Sequence, residues 1–308
     1  MLAIDECDRK LMEEIKRLKQ ERNAVILAHL YQRPEVQEVA DIVGDSLELS
    51  RRAAEVVADV IVFCGVHFMA ESAAILSPEK IVLLPELKAG CPMADMVTAE
   101  ALRAKKQELP NAVVVAYVNT SAEVKGESDI CCTSANAIKI IQSIPPEKEI
   151  IFIPDRNLGE YVATKTGRPM ILWEGWCNTH DKVNPTDILE AKKAYPDAPV
   201  LVHPECRPEI TALADFIGST SAIIKFARES EQGEFIVGTE MGILHQLNKQ
   251  CPDKKFHLAT EKLICPNMKV TNLEKVKRAL ETMQPQVKVA PEVRKRALAS
   301  LERMLAIK

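Results

Sequence analysis

The chain has 308 residues, 47% of them apolar, and a net charge of −4. That composition is ample for buried cores and leaves no basic excess for nucleic acid or an acidic membrane surface, so neither is an expected partner. The longest apolar runs, such as 56–66, include Asp59 and fall short of the about 20 residues a bilayer requires, and the charged start MLAIDECDRKLMEEIKRLKQ has no signal-peptide layout, which predicts a cytoplasmic protein.

Leu11, Met12, Ile15 and Leu18 recur at helical spacing, which predicts a first helix over 5–22. A buried strand follows at 23–29, then a helix over 34–57 that Gly44-Asp45-Ser46 interrupts or re-caps. Strand 59–65, helix 67–76 stopped by Ser77-Pro78, strand 80–85, a turn holding Cys91 and helix 98–109 complete a first set. The second set runs strand 113–118, helix 134–143, strand 149–154, helix 158–165, strand 169–173, a Cys177 turn and helix 185–194. The third takes the segments 200–203, 208–216, 221–229, 234–238, 240–249 and 255–259, then a Cys265 turn and helix 272–283. A last strand is expected at 286–289 and a charged closing helix at 291–307.

These sets are an internal repeat, and a repeat decides architecture first. Cys91, Cys177 and Cys265 are 86 and 88 residues apart, each after an apolar run and before a helical one. The strand Ala24-Val25-Ile26-Leu27-Ala28-His29 aligns with Ala112-Val113-Val114-Val115-Ala116-Tyr117 and with Ala198-Pro199-Val200-Leu201-Val202-His203. Two positions on, Tyr31, Asn119 and Glu205 correspond; further on, at one common offset, Ser46, Ser134 and Thr220 do.

Length alone is a soft prior for about two domains; the repeat raises that to three. The predicted fold is α/β: three pseudo-threefold-related, three-layer αβα units with small parallel sheets, three strands to a unit, around a central cleft. The units are expected at 1–90, completed by 270–308, at 91–176 and at 177–269. Ligands of such sheets sit beyond the carboxyl ends of the strands, which is where His29, Tyr117, His203 and the cysteine turns fall.

Nine cysteines in a cytosolic chain are not a disulfide framework. Cys7, Cys64, Cys131, Cys132, Cys206 and Cys251 occupy no repeated position and read as small buried hydrophobes. Three converging thiolates can hold zinc, with His180 as a fourth ligand, or an iron–sulfur cluster that has one open iron acting as a Lewis acid. His29 and His203 read as proton carriers, and His203-Pro204-Glu205 puts a carboxylate beside one of them. Tyr31 and Tyr117 offer phenols or core packing, and Asn119 an amide. Ser46, Ser134 and Thr220 stand near helix starts, where hydroxyls either cap the helix or bind anionic groups of a substrate.

Seven stretches resemble quinolinate synthases, the iron–sulfur enzymes of de novo NAD synthesis, along nearly the whole chain. They are AHLYQRPEVQEVADIVGDSLELSRRA (28–53), DVIVFCGVHFMAESAAILSPEKIVLLPELKAGCPMADM (59–96), AYVNTSAEVKGESDICCTSAN (116–136), PDRNLG (154–159), GWCNTHDK (175–182), HPECRPEI (203–210) and CPNMK (265–269). The resemblance implies three α/β domains around a 4Fe-4S cluster held by Cys91, Cys177 and Cys265. It implies condensation of iminoaspartate with dihydroxyacetone phosphate to quinolinate, with loss of phosphate and water. Substrate contacts carried over are His29, Ser46, Tyr117, Val118, Asn119, Ser134, His203, Pro204, Glu205 and Thr220. Tyr31 and Glu205, with His203 and His29 beside them, are the implied proton-transfer groups, Glu205 the principal base. The implied partner is an aspartate-oxidising enzyme that supplies iminoaspartate.

Two departures stand out. Leu30 follows His29 where the family often has Asn or Tyr, and Cys265-Pro266-Asn267-Met268 carries one cysteine where some members have CxxC, so no thiol–disulfide switch is expected there. Three rivals remain: a three-cysteine reductase of isoprenoid diphosphates, a non-catalytic iron–sulfur sensor, and a structural Cys3His zinc protein. The HPEC and YVN motifs argue against the first.

Overall fold

Runs rich in Val, Ile and Leu alternate with amphipathic runs throughout, and in the computed structural model, which describes residues 6–307, the apolar runs expected as strands in the three sets form parallel sheets. The first stretch gives α1 (Glu6–Glu21), β1 (Ala24–His29), α2 (Pro34–Val39), β2 (Ile42–Gly44), α3 (Ser46–Glu55), β3 (Val60–Cys64), α4 (His67–Leu76), β4 (Ile81–Leu83) and, past Cys91, α5 (Ala99–Glu108). The second gives β5 (Val113–Tyr117), α6 (Ala122–Glu127), β6 (Ile130–Cys132), α7 (Ala137–Ser143), β7 (Ile150–Ile153), α8 (Arg156–Thr166), β8 (Ile171–Leu172) and, past Cys177, α9 (Pro185–Ala194). The third gives β9 (Val200–Val202), α10 (Pro208–Thr211), β10 (Phe216–Ile217), α11 (Thr220–Glu229), β11 (Glu234–Gly238), α12 (Ile243–Gln250) and β12 (Lys255–Leu258). Past Cys265 come α13 (Pro266–Lys269), α14 (Leu273–Thr282) and α15 (Pro291–Ala306). Position 5, expected to open the first helix, lies outside the described residues.

Among the described residues there are three sheets of four strands, ordered β2-β1-β3-β4, β6-β5-β7-β8 and β10-β9-β11-β12. All neighbours pair in parallel. One order three times over bears out the α/β repeat, with a correction: each unit has four strands, not three. The missed strand is the second, only two or three residues long in each unit. Such a segment is too short to display a period of two, and in the first unit it splits the expected helix 34–57 into α2 and α3.

A side chain holds each of these short strands. Asp41 Oδ2 accepts from Ile26 N at 2.8 Å, Asp129 Oδ2 from Val114 N at 2.8 Å and Asp215 Oδ2 from Val200 N at 2.8 Å. The backbone N–H of each aspartate returns a bond to the carbonyl of the same residue, at 2.9, 3.0 and 2.9 Å. This double link extends the ladder by one rung at the end remote from the cleft.

The chain's last segment closes two gaps. α14 lies on α1 and β3, burying Leu273, Val276, Ala279 and Leu280. α15 lies on α6, β6 and α4, burying Ala297, Leu301 and Met304. The expected strand at 286–289 is one antiparallel bridge, Leu83 to Gln286, with Val287 N donating to Val82 O at 2.8 Å. No helix among the described residues is long and apolar enough to cross a membrane.

Candidate active site

β1, β5 and β9 are interior strands, so their carboxyl ends open between the sheets rather than at an edge. His29 ends β1, Tyr117 ends β5 and His203 follows β9 directly; all three side chains are buried and line one cavity. Tyr31, Asn119 and Glu205 line the same cavity, as do Ser46, Ser134 and Thr220. Val118 and Pro204 are buried but are not among the residues that line it.

Helix capping does not occupy the hydroxyls. Asp45 caps α3, accepting from Leu47 N and Glu48 N, and Ser219 caps α11, accepting from Ala222 N. Ser46 and Thr220 are therefore the first helical residues, turned to the cavity instead of to their own backbone. Ser134 precedes α7 and its Oγ lies 3.1 Å from His203 Nε2.

Glu205 is the centre of the polar network. Tyr117 OH donates to Glu205 Oε1 at 2.6 Å, and His180 Nδ1 lies 2.7 Å from Oε2. His203 Nδ1 stands 3.6 Å from the same oxygen, and the His180 and His203 rings stack at 4.8 Å between centroids. From His180 the path continues: Nε2 is 2.9 Å from Thr239 Oγ1, which is 2.7 Å from Tyr31 OH, which accepts from Thr220 Oγ1 at 3.1 Å. Side chains from all three units thus form one continuous hydrogen-bonded chain.

The charges follow from this packing. Burial pushes Glu205 up, but His203, His180 and the Tyr117 hydroxyl outweigh it and hold the carboxyl below the usual carboxylate range. Burial drops His29 and His203 to about 3 against the opposing pull of Glu205, so both are neutral donors and acceptors near pH 7. Burial, then the Glu205 charge, raises the Tyr31 and Tyr117 phenols well above their ordinary value. At neutral pH Glu205 is thus a buried carboxylate flanked by the protonated Tyr31 and Tyr117 phenols and the neutral His29 and His203 rings.

The three repeated cysteines line the same cavity, free and partly exposed. Of the other six, Cys64, Cys131, Cys132, Cys206 and Cys251 are buried and Cys7 is exposed. Burial raises Cys91 to about 12, with Cys265 and Glu205 adding to it; burial, Glu205, Asp155 and Cys91 raise Cys177. Cys91 is thus within electrostatic reach of Cys265 and of Cys177. Asn119 Oδ1 is also buried on this cavity without a hydrogen-bond partner.

The pattern of the sequence brought out the rows of the repeat but not the groups between them. His180 was visible only as a possible zinc ligand; it sits 3.3 Å from Cys177 Sγ and 2.7 Å from Glu205, and the ligand atoms of these three lie within 4.8 Å of one another. Thr239 and Glu240 were not singled out. Their signal was the end of the third strand of each unit: Glu240 stands two past β11 as Asp155 stands two past β7.

The quinolinate synthetase A protein family model matches residues 13–306. The chain belongs to the quinolinate synthetase A family. The quinolinate synthase of Desulforudis audaxviator is 58% identical over 298 residues, covering 97% of this chain and 98% of its own. Those of Geobacter sp. strain M21 (60%, 96% of this chain and 97% of its own) and Methanosarcina barkeri (56%, 97% and 98%) are similar over the same span. The chain is accordingly an enzyme, and the isoprenoid-diphosphate rival is not favoured.

The family implies an iron–sulfur cofactor, and the donors here fit one. Three free thiols, one from each unit, share a cavity with an unpartnered amide oxygen. Held protonated by burial and mutual repulsion, they lose their protons when a cationic group takes up the charge.

Proposed function

We propose that this chain condenses iminoaspartate with dihydroxyacetone phosphate to give quinolinate, phosphate and water, using a 4Fe-4S cluster held by Cys91, Cys177 and Cys265. The observation that carries the reading is that three equivalent turns deliver those thiols to the cavity that also holds the Glu205 network. When bound, the cluster supplies a Lewis acid at the iron that has no cysteine.

The chain's own residues do the rest. Ser46, Ser134 and Thr220 with the Asn119 amide receive substrate carboxylate or phosphate oxygens, and the Tyr117-Val118-Asn119 and His203-Pro204-Glu205 stretches form the walls between them. Glu205 is the principal base: its carboxyl is held ionised, and Tyr117 and His180 fix both its oxygens. Tyr31, kept protonated, returns a proton to a departing hydroxyl, and neutral His203 and His29 carry protons beside them. Units of 1–90, 91–176 and 177–269 frame the site, with 270–308 closing the first against the second. An aspartate-oxidising enzyme would supply the iminoaspartate.

The test is iron, sulfide and zinc analysis of anaerobically purified protein with a quinolinate assay on the same sample. About four irons and four sulfides per chain, with quinolinate formed and both lost in Cys177→Ala, is expected. Zinc without sulfide would end the reading and leave the cysteine trio structural.

A further inference from the structure

Tyr31 belongs to the first unit and Cys265 to the third, 234 residues on by sequence number, yet one buried ion pair touches the backbone of both. Glu240, fully buried, accepts from Cys265 N at 3.0 Å through Oε1 and from Gly242 N at 2.7 Å through Oε2. Lys269 Nζ lies 2.9 Å from Oε1 and 3.0 Å from Oε2, and donates at the same time to the Tyr31 carbonyl. An ammonium offers three donors and here all three directions find an acceptor.

The surrounding contacts keep the two segments in register. Arg33 Nε donates to Lys269 O at 2.7 Å, and Gln32 Nε2 approaches Met268 Sδ at 3.4 Å. Gln37 Nε2 donates to Gly242 O and to Leu30 O, both at 3.0 Å. Gly242 is where the approach is closest: a Cβ there would stand 2.7 Å from Tyr31 Cα and 2.8 Å from Tyr31 C. No carboxylate takes this place in the first unit, where Val66 stands two past β3 and His67 N bonds Ala89 O at 2.7 Å instead.

We propose that Glu240 and Lys269 are positioning residues that couple the Cys265 turn to Tyr31, so that ligation at the cysteine fixes where the phenol stands. Neither touches the reacting atoms in this role. Removing the cation leaves Glu240 a buried charge with only backbone donors, and the pair of segments loses its common fastening. The link to ligation rests on Cys265 being a cofactor ligand, as proposed above; the fastening of the two segments to each other rests on the Glu240–Lys269 contacts.

Hydrogen–deuterium exchange on the full chain tests it, with cluster loaded and after stripping by a chelator. In the wild type, stripping is expected to speed exchange about 10-fold in 262–268 and in 28–36 together. Lys269→Met is expected to speed both stretches about 10-fold in the loaded and the stripped protein, leaving 130–136 of the second unit unchanged. Its kcat falls about 100-fold while KM stays within about threefold, the mark of a misplaced group rather than of lost binding. Faster exchange in 262–268 with 28–36 unchanged, in either arm, overturns the coupling. A preparation that takes up no iron sinks the cofactor reading instead, and the Lys269→Met arm in the metal-free chain then decides the coupling alone.

Discussion

The two ends of the three sheets treat the repeat in opposite ways. At the end remote from the cleft, Asp41, Asp129 and Asp215 make one and the same double link, with side-chain bonds of 2.8 Å in every unit. At the cleft end the equivalent positions diverge: His29, Tyr117 and His203 in one row, Tyr31, Asn119 and Glu205 in the next. The difference teaches what each end is for. Fastening a short second strand is the same task three times, so one residue serves. An asymmetric substrate meets each unit differently, so the side chains differ while the strands beneath them do not. The cysteines are the exception at the cleft end, identical because each gives one ligand to one shared group on the proposed function.

The largest effect should come from the most specialised position. Glu205→Gln keeps the size of the side chain and can still accept from Tyr117, but it cannot take a proton. Quinolinate formation is expected to fall about 10²–10⁴-fold, with iron content unchanged. Full activity in that variant would break the claim that divergence marks the chemistry. A loss of iron instead would move Glu205 from the base to the support of the Cys177 turn, through its contact with His180.

A second consequence concerns acid. His29 and His203 have folded values of about 3 against an ordinary value near 6.5. Between those limits the unfolded chain binds protons that the folded chain refuses, so stability rises with pH and falls as pH is lowered from about 6.5 toward 3. Each histidine contributes a slope of at most about 1.4 kcal/mol per pH unit. In the metal-free protein, urea midpoints measured at pH 7, 6, 5 and 4 should fall less steeply for His29→Asn than for the wild type. Parallel curves would mean that the cleft end takes up protons without unfolding, and the contrast with the remote end would lose its energetic side.

How far the sequence reaches can be judged from the same rows. The α/β repeat and the gathering of His29, Tyr31, Glu205 and the cysteines on one cavity follow from strand-end positions, because a parallel sheet forces its carboxyl ends together. β2, β6 and β10 escaped because two or three residues carry no period, although Asp41, Asp129 and Asp215 were marking them at the repeat's own spacing. His180, Thr239 and Glu240 escaped for another reason. Their roles come from contacts that no repeat position marks: Thr239 reaches Tyr31 across units, while within the third unit Glu240 reaches Lys269 and His180 reaches Glu205, and no local pattern records a contact between segments so far apart in sequence. Ser46 and Thr220 fell between, since a hydroxyl at a helix start reads equally as a cap until the neighbouring Asp45 and Ser219 are seen to do the capping.

The smallest effect belongs to the remote end, and Asp129 is the place to measure it. Asp41 also pairs with Lys19 at 2.5 Å and Asp215 with Lys192 at 3.5 Å, so their substitution removes an ion pair along with the strand link. Among the described residues the Asp129 carboxylate has no such ion pair, and it accepts from the Val114 N–H. Asp129→Ala leaves that donor and the β6 rung unsupported and should cost about 1–2 kcal/mol in urea unfolding. Asp129→Asn, whose amide oxygen still accepts, should cost less than the alanine. Quinolinate kcat and KM should not move in either variant, because the bond lies at the far end of β5 from Tyr117. If kcat falls with the stability, the two ends are not separate, and strain at the start of a central strand reaches the residue that holds Glu205 at its end.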